Sequence, residues 1–288
     1  MFKGTHTALI TPFNLDGTVD YGCLRALVEW QVQSGVEGIV AVGTTGESPT
    51  LGHDEHLDVI KAIAEAARGR VKIIAGTGAN STHEAIALTR GISGLGVDAT
   101  LQVTPYYNKP NNEGLFRHFA AIADLGLPVM LYNVPGRTAR EIPLPVVLRL
   151  AKHPNIVAIK EAGGSVDRVS AIRNACAIEI ISGDDSLALP MISVGATGLI
   201  SVASNVAPRE TGDLVRAALS GDFALAQKLH ARLYPLFRDL FIDTSPIPCK
   251  TALHLMGRAP LTFRLPLCET TPEITAQIQK TLAACGIQ

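Results

Sequence analysis

Residues 128–161 read PVMLYNVPGRTAREIPLPVVLRLAKHPNIVAIKE. Two short apolar runs, Pro128 to Tyr132 and Ile156 to Ile159, bracket a Pro/Gly loop and a stretch of helical spacing from Leu144 to His153. Short runs rich in aliphatic side chains suit strands buried on both faces, and strands joined through a helix run parallel. The segment therefore reads as one βαβ unit.

The same unit recurs along the chain. Further apolar runs lie at Thr7 to Ile10, Gly38 to Val42, Val71 to Ala75, Ala99 to Val103, Glu179 to Ile181 and Gly198 to Val202, giving eight in all. Helical spacing falls between them at Asp20 to Ser34, His53 to Arg68, Thr82 to Leu95 and Glu113 to Leu125, with cap or early acidic residues at the starts. No linker divides the units, and eight of them fit one closed (β/α)8 barrel, the TIM barrel. From about Pro208 the pattern is helix only, including Asp222 to Leu240 and Pro248 to Met256. The expectation is a barrel over residues 1–222 and a small helical C-terminal extension over 223–288. An open doubly wound sheet is the alternative, supported by Gly76-Thr77-Gly78-Ala79-Asn80-Ser81, a near match to a dinucleotide fingerprint. Its acidic partner would be Asp98, which precedes a strand where the fingerprint needs it at a strand's end.

The chain has 288 residues, 47% of them hydrophobic, and a formal net charge of -1. Near-neutral charge gives no electrostatic reason to expect nucleic acid or an anionic membrane as partner, which leaves a small molecule. No apolar run is long enough to span a bilayer, and Met1-Phe2-Lys3-Gly4-Thr5-His6 lacks the pattern of a secretory leader, so the expected compartment is the cytoplasm. Cys23, Cys176, Cys249, Cys268 and Cys285 are scattered and never spaced Cys-x-x-Cys, as expected of reduced structural thiols and not of a zinc site.

A parallel barrel carries its active site at the C-terminal ends of its strands. There the sequence places Gly43-Thr44-Thr45-Gly46-Glu47-Ser48, Thr104-Pro105-Tyr106-Tyr107-Asn108, Tyr132 to Thr138, Lys160-Glu161 and Ser182-Gly183-Asp184-Asp185. Lys160 shares a strand face with Ala158; if that face is the interior, burial favours the neutral, nucleophilic amine. Otherwise it reaches solvent or pairs with Glu161. Tyr132 shares a face with Met130 and is either an acid–base phenol or a core tyrosine. Arg137 offers a fork for a carboxylate or is a surface residue. His53-Asp54-Glu55-His56 has metal-like content but fits the first turn of a helix capped at Gly52, so no metal is expected. Asp184-Asp185 is expected to cap a helix over Ser186 to Val194. Gly43 to Gly46 lacks the Gly-Lys-Ser/Thr ending of a phosphate loop.

Together, Ala8 to Phe13, Gly43-Thr44-Thr45-Gly46-Glu47, Tyr132-Asn133-Val134-Pro135-Gly136-Arg137-Thr138, Ile159-Lys160-Glu161 and Pro246-Ile247-Pro248-Cys249-Lys250 resemble the dihydrodipicolinate synthase family, in the superfamily that includes N-acetylneuraminate lyase. The resemblance implies condensation of pyruvate with L-aspartate 4-semialdehyde on the route to diaminopimelate and lysine, with no cofactor. It implies Lys160 as the imine-forming nucleophile, Thr44 and Thr45 on the pyruvate carboxylate, and Tyr132, Thr44 and Tyr107 as a proton relay, with Tyr107 from a neighbouring subunit of a homotetramer. Arg137 is implied for the semialdehyde carboxylate, and the Gly183 and Ile200 backbones for the pocket lining. An inhibitory L-lysine site is implied at Ser48, His53, His56, Asn80, Glu84 and Tyr106. Ser245-Pro246 departs from the family's usual Asn-Pro. A related pyruvate lyase, or a non-catalytic regulatory homologue on the same barrel, is the alternative.

Overall fold

The computed structural model describes residues 1–287. Its strands are β1 Gly4–Ala8, β2 Gly38–Ala41, β3 Lys72–Gly76, β4 Ala99–Val103, β5 Val129–Asn133, β6 Ile156–Glu161, β7 Glu179–Ser182 and β8 Gly198–Ser201. They pair in chain order, every pair parallel, and β8 returns to β1 to close the barrel. Closure excludes the open-sheet alternative. Helices follow as α1 Tyr21–Gln33, α2 His53–Ala67, α3 Thr82–Gly91, α4 Asn112–Ala123, the single turn α5 Pro135–Thr138, α6 Leu144–Leu150, α7 Val166–Ala175, α8 Ala188–Ser193 and α9 Pro208–Ser220. The C-terminal helices are α10 Phe223–Asp239, α11 Ile247–Leu255 and α12 Pro272–Cys285.

Strand alternation sorts side chains into two layers. Val40, Ile74, Leu101, Met130, Tyr132, Ala158, Ile181 and Ile200 fill the barrel. Ile39, Ile73, Leu131, Ile159, Ile180 and Leu199 point outward under the helices. At the first seam a Cβ on Gly38 would lie 2.1 Å from His6 Nδ1, so the missing side chain of β2 is the space that the imidazole of β1 occupies. Side chains of Asp20, Ser81, Asn111, Ser165, Asp222 and Thr271 each accept an N–H from the first turn of the helix they precede. Each such cap is worth about 1 kcal/mol.

Three expectations are corrected. β1 lies at Gly4–Ala8, three residues before the expected start and two before the expected end, because its polar residues are buried and paired: Thr7 Oγ1 donates to Gln31 Oε1 at 2.6 Å and accepts from Ser204 Oγ at 2.8 Å. Helices α3 and α6 stop several residues short of Leu95 and His153. Asp185 does not cap α8; it is buried and accepts from Ser201 Oγ and the Val202 and Ala203 amides, while Asp184 closes the turn onto Ser186. The Gly76 to Ser81 loop has glycine for packing: a Cβ on Gly78 would lie 2.3 Å from the Val103 amide nitrogen. Asp98 clips β3, bonding Lys72 Nζ at 2.6 Å and the Ile73 amide at 2.8 Å. All five cysteines are free thiols, and no helix among the described residues is long and apolar enough to cross a membrane.

Candidate active site

With Ile159 in the outer layer, Ala158 and Lys160 of β6 face the barrel axis. Lys160 is 7% exposed, and its Nζ lies 4.1 Å from the ring centroid of Tyr132, its cross-strand neighbour on β5. Glu161 turns the other way, fully buried, accepting from Asn133 Nδ2 at 2.7 Å, the Gly163 amide at 2.8 Å and Arg168 Nε at 2.7 Å. Lys160 is therefore neither a solvent-reaching lysine nor the partner of Glu161, and the aromatic face is the polarisable group beside its amine.

A cavity of about 350 Å³ opens above this pair at the C-terminal ends of the strands. Thr44, Thr45, Tyr132, Arg137, Lys160 and Gly183 all line it. The threonines ride a single turn, Thr44–Gly46, after β2. Val42 (φ 53) and Glu47 (φ 55), which flank that turn, are both in the left-handed region that costs a side-chain-bearing residue about 1–2 kcal/mol. Such a conformation persists only when surrounding contacts fix it, and one of these is Thr11 Oγ1 donating to the Gly46 carbonyl at 2.7 Å. Gly183 is small out of necessity: a Cβ there would sit 2.7 Å from Ala162 Cβ and 2.9 Å from Lys160 Cε. Arg137, on α5, donates from Nη2 to the Ser245 carbonyl at 3.0 Å.

Sequence reasoning missed part of the wall. Tyr234, Phe237, Arg238 and Phe241, from α10 and the residues just after it, also line the cavity, as do Asp184, Ser186 and Val202. The four from the C-terminal region stand at i, i+3, i+4 and i+7, one face of a helix, and that spacing was the available signal.

A second cavity, about 550 Å³, takes in Ser48, His53, His56, Glu84 and Tyr106. Thr44, Val134 and Arg137 line both cavities and so form the wall between them. His53 Nε2 meets Glu84 Oε1 at 3.0 Å, and His56 Nε2 meets the Gly76 carbonyl at 2.7 Å. Burial holds the His56 pKa below the usual imidazole value, against the pull of the Gly76 carbonyl, so its ring is neutral at pH 7. The Tyr106 phenol is pushed up by burial and then by the nearby Glu84 carboxylate.

Three expected residues lie apart. Asn80 does not line the second cavity, although Gly78 and Ala79 do; its carbonyl accepts from Asn108 Nδ2 at 2.8 Å. Ile200 sits in the barrel interior, 1% exposed, and does not line the first cavity. Tyr107, with φ 71, is 90% exposed and outside the cavity of its own chain.

Residues 1–285 match the model of the dihydrodipicolinate synthetase family. The chain belongs to that family. Among curated members, a 4-hydroxy-tetrahydrodipicolinate synthase of Koribacter versatilis is 48% identical over 99% of this chain and 96% of its own length. The chloride-inhibited dihydrodipicolinate synthase of Acinetobacter baumannii, solved with pyruvate, superposes with a TM-score of 0.98 at 45% identity and covers 100% of both chains. The Cyanidioschyzon merolae enzyme, solved with lysine bound, gives a TM-score of 0.95 at 41% identity, covering 99% of this chain and 98% of that one. The family resemblance expected from the glycine loop, the Tyr132 segment and Lys160 is thus met over nearly the whole chain.

Proposed function

We infer that this dihydrodipicolinate synthetase family member is a 4-hydroxy-tetrahydrodipicolinate synthase, a lyase that condenses pyruvate with L-aspartate 4-semialdehyde through an imine on Lys160. The observation that carries the reading is an amine almost sealed at the barrel mouth, against a tyrosine and beneath two threonines. In its neutral form Lys160 Nζ attacks C2 of pyruvate, and the carbonyl oxygen leaves as water after taking protons by way of Tyr132. The imine draws electrons from C3, which loses a proton. The resulting enamine carbon bonds to the aldehyde carbon of the semialdehyde, whose oxygen takes up a proton. The semialdehyde's own amine then displaces Lys160 and closes the ring. Thr44 and Thr45 hold the pyruvate carboxylate in this scheme, Arg137 holds that of the second substrate, and Gly183 leaves room for the imine.

Pyruvate plus borohydride is the direct test, because hydride turns the imine into a stable secondary amine. Mass mapping should find the adduct on Lys160 with activity lost in proportion; an adduct on Lys109 or Lys250, or none, rejects the assignment. Exposure of Tyr107 supports its lending a hydroxyl to a neighbouring subunit's site, in a homotetramer. Mixed Lys160→Ala and Tyr107→Phe subunits should then regain activity, and a failure to do so after proven subunit exchange rejects the shared site.

L-lysine is the proposed regulator, in the second cavity. Glu84 suits an ammonium, neutral His56 adds no repulsion, and the common wall of Thr44 and Arg137 offers a route to the first cavity. The lysine-bound relative supports a lysine site in this family. The cytoplasm remains the proposed compartment, in keeping with five free thiols.

A further inference from the structure

Glu47 closes the glycine loop and Lys250 stands on α11, and the chemistry above uses neither. Both are fully buried, yet their charged ends meet at 2.5 Å. Lys250 Nζ also donates to the Thr11 carbonyl at 3.2 Å and lies 4.5 Å and 4.8 Å from the ring centroids of Phe13 and Phe263. An ion pair this dry costs desolvation that a hydrophobic pair would avoid, so stability alone is a weak reason for it. Its placement supplies another. Glu47 holds the left-handed φ that ends the Thr44–Gly46 turn, and Thr11, whose carbonyl takes Lys250, has its hydroxyl on the carbonyl of Gly46. Burial lowers the Lys250 pKa from its usual value, and the Glu47 carboxylate offsets that only in part, so the ammonium depends on its partner. Ser245, two residues before α11 begins, carries the carbonyl that receives Arg137.

We propose that Lys250 is a positioning residue for pyruvate: from the C-terminal helical region it grips Glu47 and Thr11 and thereby sets the Thr44 and Thr45 hydroxyls at the cavity. The proposal rests on the pyruvate reading of that cavity. It joins α11 to the binding loop through one buried charge, so α11 tunes affinity for the first substrate without itself lining the cavity.

The test compares the parent with Lys250→Met, Glu47→Gln and the double variant. Thermal unfolding reports the fold, and borohydride trapping at Lys160 over a range of pyruvate concentrations reports the site. In folded single variants the pyruvate concentration for half-maximal trapping should rise about tenfold or more, equivalent to about 1.4 kcal/mol, while the trapping rate at saturation stays within about threefold. Removing both charges should restore much of the melting temperature lost in Lys250→Met, since no unpaired buried charge remains, but not the pyruvate affinity. Unchanged half-saturation in folded variants overturns the proposal, and so does an affinity that recovers in step with melting temperature. If Lys250→Met does not fold, Glu47→Gln, which keeps the side chain's size, decides by the same two criteria. Absence of trapping in the parent would instead count against the pyruvate reading itself.

Discussion

Arg137 directs Nη2 at the Ser245 carbonyl, 3.0 Å away, and so keeps part of its five-donor fork for a ligand in the cavity that it lines. Replacing it with Ala should weaken semialdehyde use by about 10- to 100-fold, the range of a lost charge-assisted bond of about 1.5–3 kcal/mol, and leave imine trapping with pyruvate nearly unchanged. Steady-state kinetics in both substrates, beside borohydride trapping, separates the two; equal loss of both would make Arg137 a prop of the site. At this scale the sequence was legible wherever period two decides orientation. Lys160 and Tyr132 follow from Ala158 and Met130 in that way. Asp185 was not legible, because its partners Ser201, Val202 and Ala203 lie at and just beyond the end of the next strand and nothing local marks a carboxylate aimed at them.

Between elements, the face where α2 starts meets the start of α3 through His53 and Glu84. The pair is partly exposed, so it holds the helices together only weakly, and Glu84 can exchange an imidazole for an ammonium at small cost. Glu84→Ala should therefore raise the L-lysine concentration for half inhibition about tenfold or more while uninhibited turnover changes little. Initial rates against lysine check this, and equal inhibition of parent and variant, or simple competition with pyruvate, removes the site. Element boundaries were least legible where polar residues are buried. β1, GTHTA, is buried along its whole length, so a reading that follows hydrophobicity slides toward Leu9 and Ile10. The wall supplied by Tyr234, Phe237, Arg238 and Phe241 was legible as a helical face, but nothing in the spacing alone aims that face at a barrel mouth.

For the whole molecule, eight recurrent βα units were enough to specify a closed barrel, since each buried strand finds its two neighbours only if the last pairs with the first. Packing that barrel also buries histidines, and these set its response to acid. Burial lowers His6 and His118 from 6.5 to about 4, and burial also lowers His230. A histidine whose folded value is lowered contributes stability that is fully present above pH 6.5 and is lost as pH falls toward the folded value, because the unfolded chain takes up the proton first. Asp185 opposes them: burial raises it from 3.8 to about 6, so the folded state binds its proton first and gains stability as pH falls through 6. Between pH 7 and pH 5 each of His6 and His118 costs about 2 kcal/mol and Asp185 returns about 1, a net loss of about 2–3 kcal/mol. Among the described residues the His118 side chain bonds only Thr82 Oγ1, at 2.9 Å, and its buried Nε2 finds no partner, so His118→Gln can keep the Thr82 contact while removing the titration. Urea unfolding at the two pH values should show the parent losing about 2 kcal/mol more than that variant on acidification. Parallel losses in both would mean that His118 takes up no extra proton on unfolding, and the acid sensitivity would then have to come from His6 and the other buried groups.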